Sequence, residues 1–179
     1  MTKSEVEDLT RRTYNLLNGV VNLHRIDYLE IVERSRYLYD EYLKPIDCPA
    51  ARVEIPIGGK TILVFAIDRV LEFLSGINEI NQPSFVVHLV VHELSHSNQD
   101  VDYDRYEKDP YYYRFIEKSN NIYSYRFIDN YKEWLMEKLN IPYLFPVEQD
   151  SIAYTEEKLA IIRVEEIEYR MKHPVCWTL

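Results

Sequence analysis

The first regular pattern along the chain is helical. Val6, Leu9, Thr13, Leu16 and Val20 recur at intervals of three and four, and Ser4-Glu5-Val6-Glu7 beside them fits a capping box. A second helix is predicted over residues 26–42. The pattern then changes to that of a hairpin: residues 52–57 alternate, residues 61–67 are apolar nearly throughout, and Gly58-Gly59-Lys60 lies between them. Pro56 has no backbone N–H to give to a ladder, so the first strand is expected at an edge and the second inside. Residues 68–74 read as a short helix, 110–139 as one long or broken helix, and 156–171 as a charged amphipathic one. Residues 140–150, with Pro142 and Pro146, read as a loop. No repeat, low-complexity stretch or linker divides the 179 residues. The expectation is a single α+β domain, 1–179, predominantly helical, with a hairpin or small sheet packed against a central helix.

That central helix is the strongest signal. Asn81-Gln82-Pro83-Ser84 reads as its start, with a proline placed where a helix has no use for the missing hydrogen bond. Phe85, Val86, Val87, Leu89, Val90, Val91 and Leu94 then leave almost no polar side, so the helix must be buried. A strand would be unusually long at fourteen or so residues. Set into this run are His88, His92, Glu93 and His96, three of the chain's five histidines and one carboxylate. An unpaired buried polar group costs about 1–3 kcal/mol, so these side chains need partners. His92 and His96 are four apart and share a helix face, as an H-E-x-x-H zinc motif requires, with Glu93 alongside to handle a proton. The competing reading is two core histidines bonded to backbone or tyrosine hydroxyls.

A zinc site needs a third protein ligand and an open position for water. In the helix predicted from Pro110, the residues Ile116, Tyr123, Phe127, Tyr131 and Trp134 approximate a core-facing stripe, and Glu117 sits beside it. Glu117 is the expected third ligand. Asn121, one turn on, is placed to orient a ligand histidine through its far ring nitrogen. His88, one turn before His92, is expected to lie behind the ligands. Asp100 is a weaker candidate, because on a continuous helix it stands about 12 Å along the axis from His92. His173, near Cys176 in the sequence, could be brought in by folding, but nothing local supports it. Asp100, Asp102 and Asp104 lack the glycine and glutamate of a calcium loop and read as a solvated turn.

His92-Glu93-x-x-His96 followed by Glu117-x-x-x-Asn121 resembles the gluzincin pattern of thermolysin-like metallopeptidases, over about thirty residues. The pattern has aspartate where this chain has Asn121, and the rest of the chain is not similar to thermolysin. Val-His-Glu-Leu-Ser-His with Gln99 after it is also similar to small bacteriophage-encoded proteins described as candidate metallopeptidases. The resemblance implies a zincin-like fold and a Zn2+ ion held by His92, His96 and Glu117, with Glu93 as general base toward a peptide or protein substrate. By analogy with such folds, the edge strand at Val53, Glu54 and Ile55 is where an extended substrate would add. The sixteen tyrosines make a tyrosine the expected oxyanion donor, with Tyr103, Tyr113 and Tyr123 nearest the motifs.

Charge and composition narrow the setting. A net charge of −9 and a pI near 5.1 argue against nucleic acid as a partner. No run is long enough to span a bilayer and no apolar leader follows the opening residues. A soluble protein inside a cell is therefore expected, or, as the resemblance to phage-encoded proteins implies, one in a virus particle. Cys48 and Cys176 are expected as free thiols. The reading that follows is a zinc-dependent peptidase or amide hydrolase. The alternative is a non-catalytic structural or interaction protein, such as a virion part, in which zinc merely joins two helices. Glu93 separates the two, since a structural site has no need of a base.

Overall fold

The computed structural model describes residues 1–22, 24–33, 49–55, 58–99, 105 and 108–145, with the side chains of Glu54 and Ile55 outside that description. Over these residues the chain is mostly helical with one small mixed sheet, an α+β arrangement. In chain order the elements are α1 (Lys3–Leu17), β1 (Tyr28–Val32), β2 (Ala50–Ile55), β3 (Lys60–Ala66), α2 (Ile67–Ser75), α3 (Gln82–Ser95), α4 (Pro110–Asn130) and α5 (Lys132–Leu139). Short 3-10 turns at Glu79–Asn81 and His96–Asn98 flank α3.

The N-terminal capping box lies two residues ahead of its expected place. Thr2 is the cap: its hydroxyl accepts from the Glu5 backbone at 3.3 Å, and the Glu5 carboxylate accepts from the Thr2 backbone at 2.6 Å. Ser4 thus falls within the helix, whose inner face is Val6, Leu9, Thr10, Thr13, Tyr14 and Leu17, while Val20 lies beyond its end and is exposed. The predicted helix over residues 26–42 is overturned where it can be seen, because Tyr28–Val32 is a strand parallel to β3. Tyr28-Leu29-Glu30-Ile31-Val32 alternates and ends β-branched, and five consecutive residues are held by pairing to β3. The rest of that predicted helix lies outside the described residues.

The hairpin is as expected. β2 pairs antiparallel with β3 from Ala50↔Phe65 to Ile55↔Lys60, and Gly58 and Gly59 make the turn with φ of +99° and +62°, values that favour glycine. The strand order is β1-β3-β2, which places β3 inside and β2 on one side of the three. β3 buries both faces: Leu63 and Phe65 join the main core, while Val64 and Ala66 pack with Val32, Val53 and Ile62.

The main core gathers around α3. Every residue from Val86 to Ser95 is buried, and α1, α2, α4 and β2 all pack against this helix. Asn81 precedes it without a side-chain cap bond, and Pro83 sits in its first turn. The helix predicted over 110–139 is broken at Tyr131 into α4 and α5. The inner face of α4 differs from the predicted stripe. It runs through Tyr112, Ile116, Asn120, Ser124 and Ile128, whereas Tyr123 and Tyr131 are exposed. Two polar residues occupy the centre of that face, so hydrophobicity alone points to the wrong side.

Among the described residues no helix is long and apolar enough to cross a membrane. Residues 156–171, Pro56, Cys48, Cys176, His173, Asp100, Asp102, Asp104 and Tyr103 lie outside the described residues, as does the loop beyond residue 145.

Candidate metal centre

His92 belongs to the last turn of α3, and His96 is the residue on which that helix ends and tightens into a 3-10 turn. Because His96 keeps right-handed helical angles (φ −55°, ψ −29°), the two side chains still leave the same face. Glu117 comes from the second turn of α4, which packs along α3. The three converge. His92 Nε2 and His96 Nε2 are 3.0 Å apart, Glu117 Oε2 is 3.2 Å from the first, and Glu117 Oε1 is 3.5 Å from the second. Ligands about 2.0–2.1 Å from a tetrahedral ion stand about 3.3 Å from one another, so these edges match a zinc-sized site. Among the described residues this is the one group of three potential ligands brought so close.

The tautomer of His96 follows from its neighbour. Gln99 donates from Nε2 to the Ile116 carbonyl at 3.2 Å, which turns its Oε1 toward His96 Nδ1 at 2.9 Å. Nδ1 must then carry the hydrogen, leaving the Nε2 lone pair to face the site. Burial pushes the His96 pKa down, and the charge of His92 adds to this against the opposing pull of Glu93 and Glu117. Burial also works against a charged His92, but there the Glu117 hydrogen bond and the Glu93 and Glu117 carboxylates prevail, and its pKa is raised. The two shifts therefore run in opposite directions, the Glu117 bond favouring the charged form of His92 and burial the neutral form of His96.

Glu93 is buried, 7 % exposed, and makes no hydrogen bond to another described residue. Its carboxylate is felt by both histidines. A buried carboxylate beside the ligands and not itself engaged has the placement of a proton acceptor.

Behind the ligands, His88 stacks on Tyr125 with ring centroids 4.1 Å apart and planes 18° from parallel. Burial, reinforced by the charge of His92, lowers its pKa to about 3, so it is a neutral packing residue. Asn121 stands close enough to His88 and His92 to favour their protonated forms. Neither Nδ1 meets a partner at full hydrogen-bond geometry, so the orienting role expected of Asn121 is present as proximity rather than as a formed bond.

Two orienting residues had been given no role by motif reading. Gln99 fixes the ring of His96, and Asn120 donates from Nδ2 to the His92 carbonyl at 2.7 Å. The clue available for Asn120 was its spacing: with Ser124 it places two polar residues at Ile116 plus four and plus eight, on the face that α3 covers.

Strand β2 runs beside the centre. The Arg52 guanidinium reaches the His96 carbonyl at 3.4 Å, and α3 packs on the strand. Val53, Glu54 and Ile55 are paired through the backbone with Ile62, Thr61 and Lys60. Of the tyrosines, Tyr123 has its hydroxyl engaged by the Val21 carbonyl at 3.3 Å. Tyr113 is half exposed one helical turn before Glu117.

Comparisons with models of protein families, with curated proteins and with solved structures found no match.

Proposed function

We propose that this chain is a zinc-dependent metallopeptidase that hydrolyses peptide or amide bonds. The observation that carries the reading is the convergence of His92, His96 and Glu117 on one point, with Glu93 buried beside them and unengaged by the described residues. Two neutral imidazoles and one carboxylate suit zinc and leave a fourth position for water. What zinc supplies in such a donor set is a water acidified toward neutrality and an electrophile for the scissile carbonyl. Glu93 accepts the proton of the attacking water and delivers it to the leaving nitrogen. Gln99 keeps the His96 lone pair aimed inward, and Glu117 offsets part of the ion's charge. An extended peptide is proposed to lie along β2 at Val53, Glu54 and Ile55, the strand nearest the centre.

The test begins with metal content in protein purified without a metal-affinity tag. About one zinc per chain is expected, lost in His96→Ala and Glu117→Ala. A screen with unstructured protein substrates should then give cleavage by the parent and none by Glu93→Gln, which keeps its zinc. A zinc-loaded parent without hydrolysis of any such substrate, or equal hydrolysis by Glu93→Gln, would count against this mechanism and favour a zinc that joins α3 to α4 without catalysis.

A further inference from the structure

Glu117 lies between two points at which α4 is tied to α3. Immediately before it, the Ile116 carbonyl accepts from Gln99 Nε2. Three residues after it, Asn120 donates from Nδ2 to the His92 carbonyl. The same two amides reach the histidines: Gln99 Oε1 accepts from the ring of His96, and Asn120 holds the peptide of His92. Each ligand is thus adjacent to a strut, and each strut spans the two elements whose separation sets the ligand distances.

The hydrogen bonds around Asn120 admit one assignment. The His92 carbonyl has two lone pairs, and it takes the His96 backbone N–H and the Asn120 amide. The Ser95 hydroxyl lies 2.8 Å from that same carbonyl and also in contact with Asn120 Oδ1. Because Oδ1 can only accept, the one Ser95 hydrogen is directed to it, with the His92 carbonyl as a second acceptor. Ser124 in turn donates to the Asn120 carbonyl at 2.8 Å. Asn120 is 1 % exposed, so every polar atom of its side chain is used inside the protein and its amide cannot turn over. A carboxylate could not replace it, because it has no hydrogen for the His92 carbonyl and would add a third negative charge to a pocket holding Glu93 and Glu117.

We propose that Asn120 and Gln99 are positioning residues that hold α4 against α3 at the spacing where Glu117 meets His92 and His96, so that the metal enters a site already formed. This rests on the metal-centre reading above. Helices held by packing alone slide and tilt relative to one another, whereas two directional bonds on either side of Glu117 fix both the separation and the register.

The experiment uses the full chain and three readouts: the zinc dissociation constant by competition with a chromogenic chelator, the visible absorption of the cobalt-substituted protein, and the melting temperature of the metal-free protein. The parent is measured first, and a parent that binds no zinc overturns the metal-centre reading itself. With a zinc-binding parent, Asn120→Ala and Gln99→Ala should fold, lose about tenfold to a hundredfold in zinc affinity, and change the shape of the cobalt spectrum. Ser95→Ala, which frees Asn120 Oδ1 while leaving both struts in place, should shift both readouts less and in the same direction. Parent-like zinc affinity and a parent-like cobalt spectrum in the two strut variants, even with lowered melting temperatures, would overturn the proposal. If Asn120→Ala does not fold, Gln99→Ala and Ser95→Ala decide, and parent-like values in both overturn it.

Discussion

His92 Nε2 and His96 Nε2 stand 3.0 Å apart, closer than two protonated imidazoles can be, with both oxygens of Glu117 facing them. The pKa of His92 is raised: burial opposes the charge, and the Glu117 bond together with the Glu93 and Glu117 charges overcomes it. Zinc must displace any proton that His92 Nε2 carries. Affinity for zinc should therefore fall about tenfold for each pH unit below the raised pKa of His92, a decline that begins above the ordinary histidine value. Chelator competition between about pH 6 and pH 8 measures it. A flat profile would mean that no proton leaves when the metal enters.

His88, whose pKa is shifted the other way, predicts a pH dependence of stability in the metal-free protein. Its pKa is lowered to about 3 by burial and by His92, from the 6.5 of an unfolded chain. The unfolded state binds the proton first, so the stability gained by burying His88 neutral is complete above about 6.5 and drains away as pH falls toward 3. His88→Phe keeps an aromatic ring against Tyr125 and removes the titration. Its melting temperature should drop less than the parent's between neutral pH and about pH 4.5, and an equal drop would exclude His88 as the source.

The capping box offers a change remote from the centre. Thr2→Ala removes the acceptor for the Glu5 N–H and should cost about 1 kcal/mol, or about 2–4 °C in melting temperature for a chain of this size. Zinc affinity should be unaffected. Thermal unfolding beside a zinc titration checks both statements together.

Ile128 and Tyr131 test which side of α4 faces inward. Ile128 is 6 % exposed and Tyr131 is 51 % exposed. Ile128→Ala should cost about 2–5 kcal/mol, whereas Tyr131→Ala should cost about 1 kcal/mol or less, since among the described residues its ring packs on Phe127 and Trp134 at the surface. Urea unfolding resolves the two, and a reversed order would restore the aromatic stripe as the core face.

That comparison also shows where sequence reading succeeds and where it stops. α3 was legible because a run such as Val86-Val87-His88-Leu89-Val90-Val91 permits only burial. The hairpin was legible because two glycines separate two differently patterned strands. The convergence of His92, His96 and Glu117 was legible because H-E-x-x-H fixes its own geometry and Glu117 follows at a workable distance. β1 was missed because a five-residue alternating strand owes its existence to pairing with β3, a partner some thirty residues away. The inner face of α4 was missed because Asn120 and Ser124 are buried through hydrogen bonds and not through hydrophobicity, which no apolar stripe records. The roles of Gln99 and Asn120 came to light only when the two helices were brought together.

α3 stops at His96. Its last carbonyls are taken up on two sides, that of His92 by Asn120 of α4 and that of His96 by Arg52 of β2. A helix end fastened on both flanks resists fraying, so the two histidines of its last turn keep a common face.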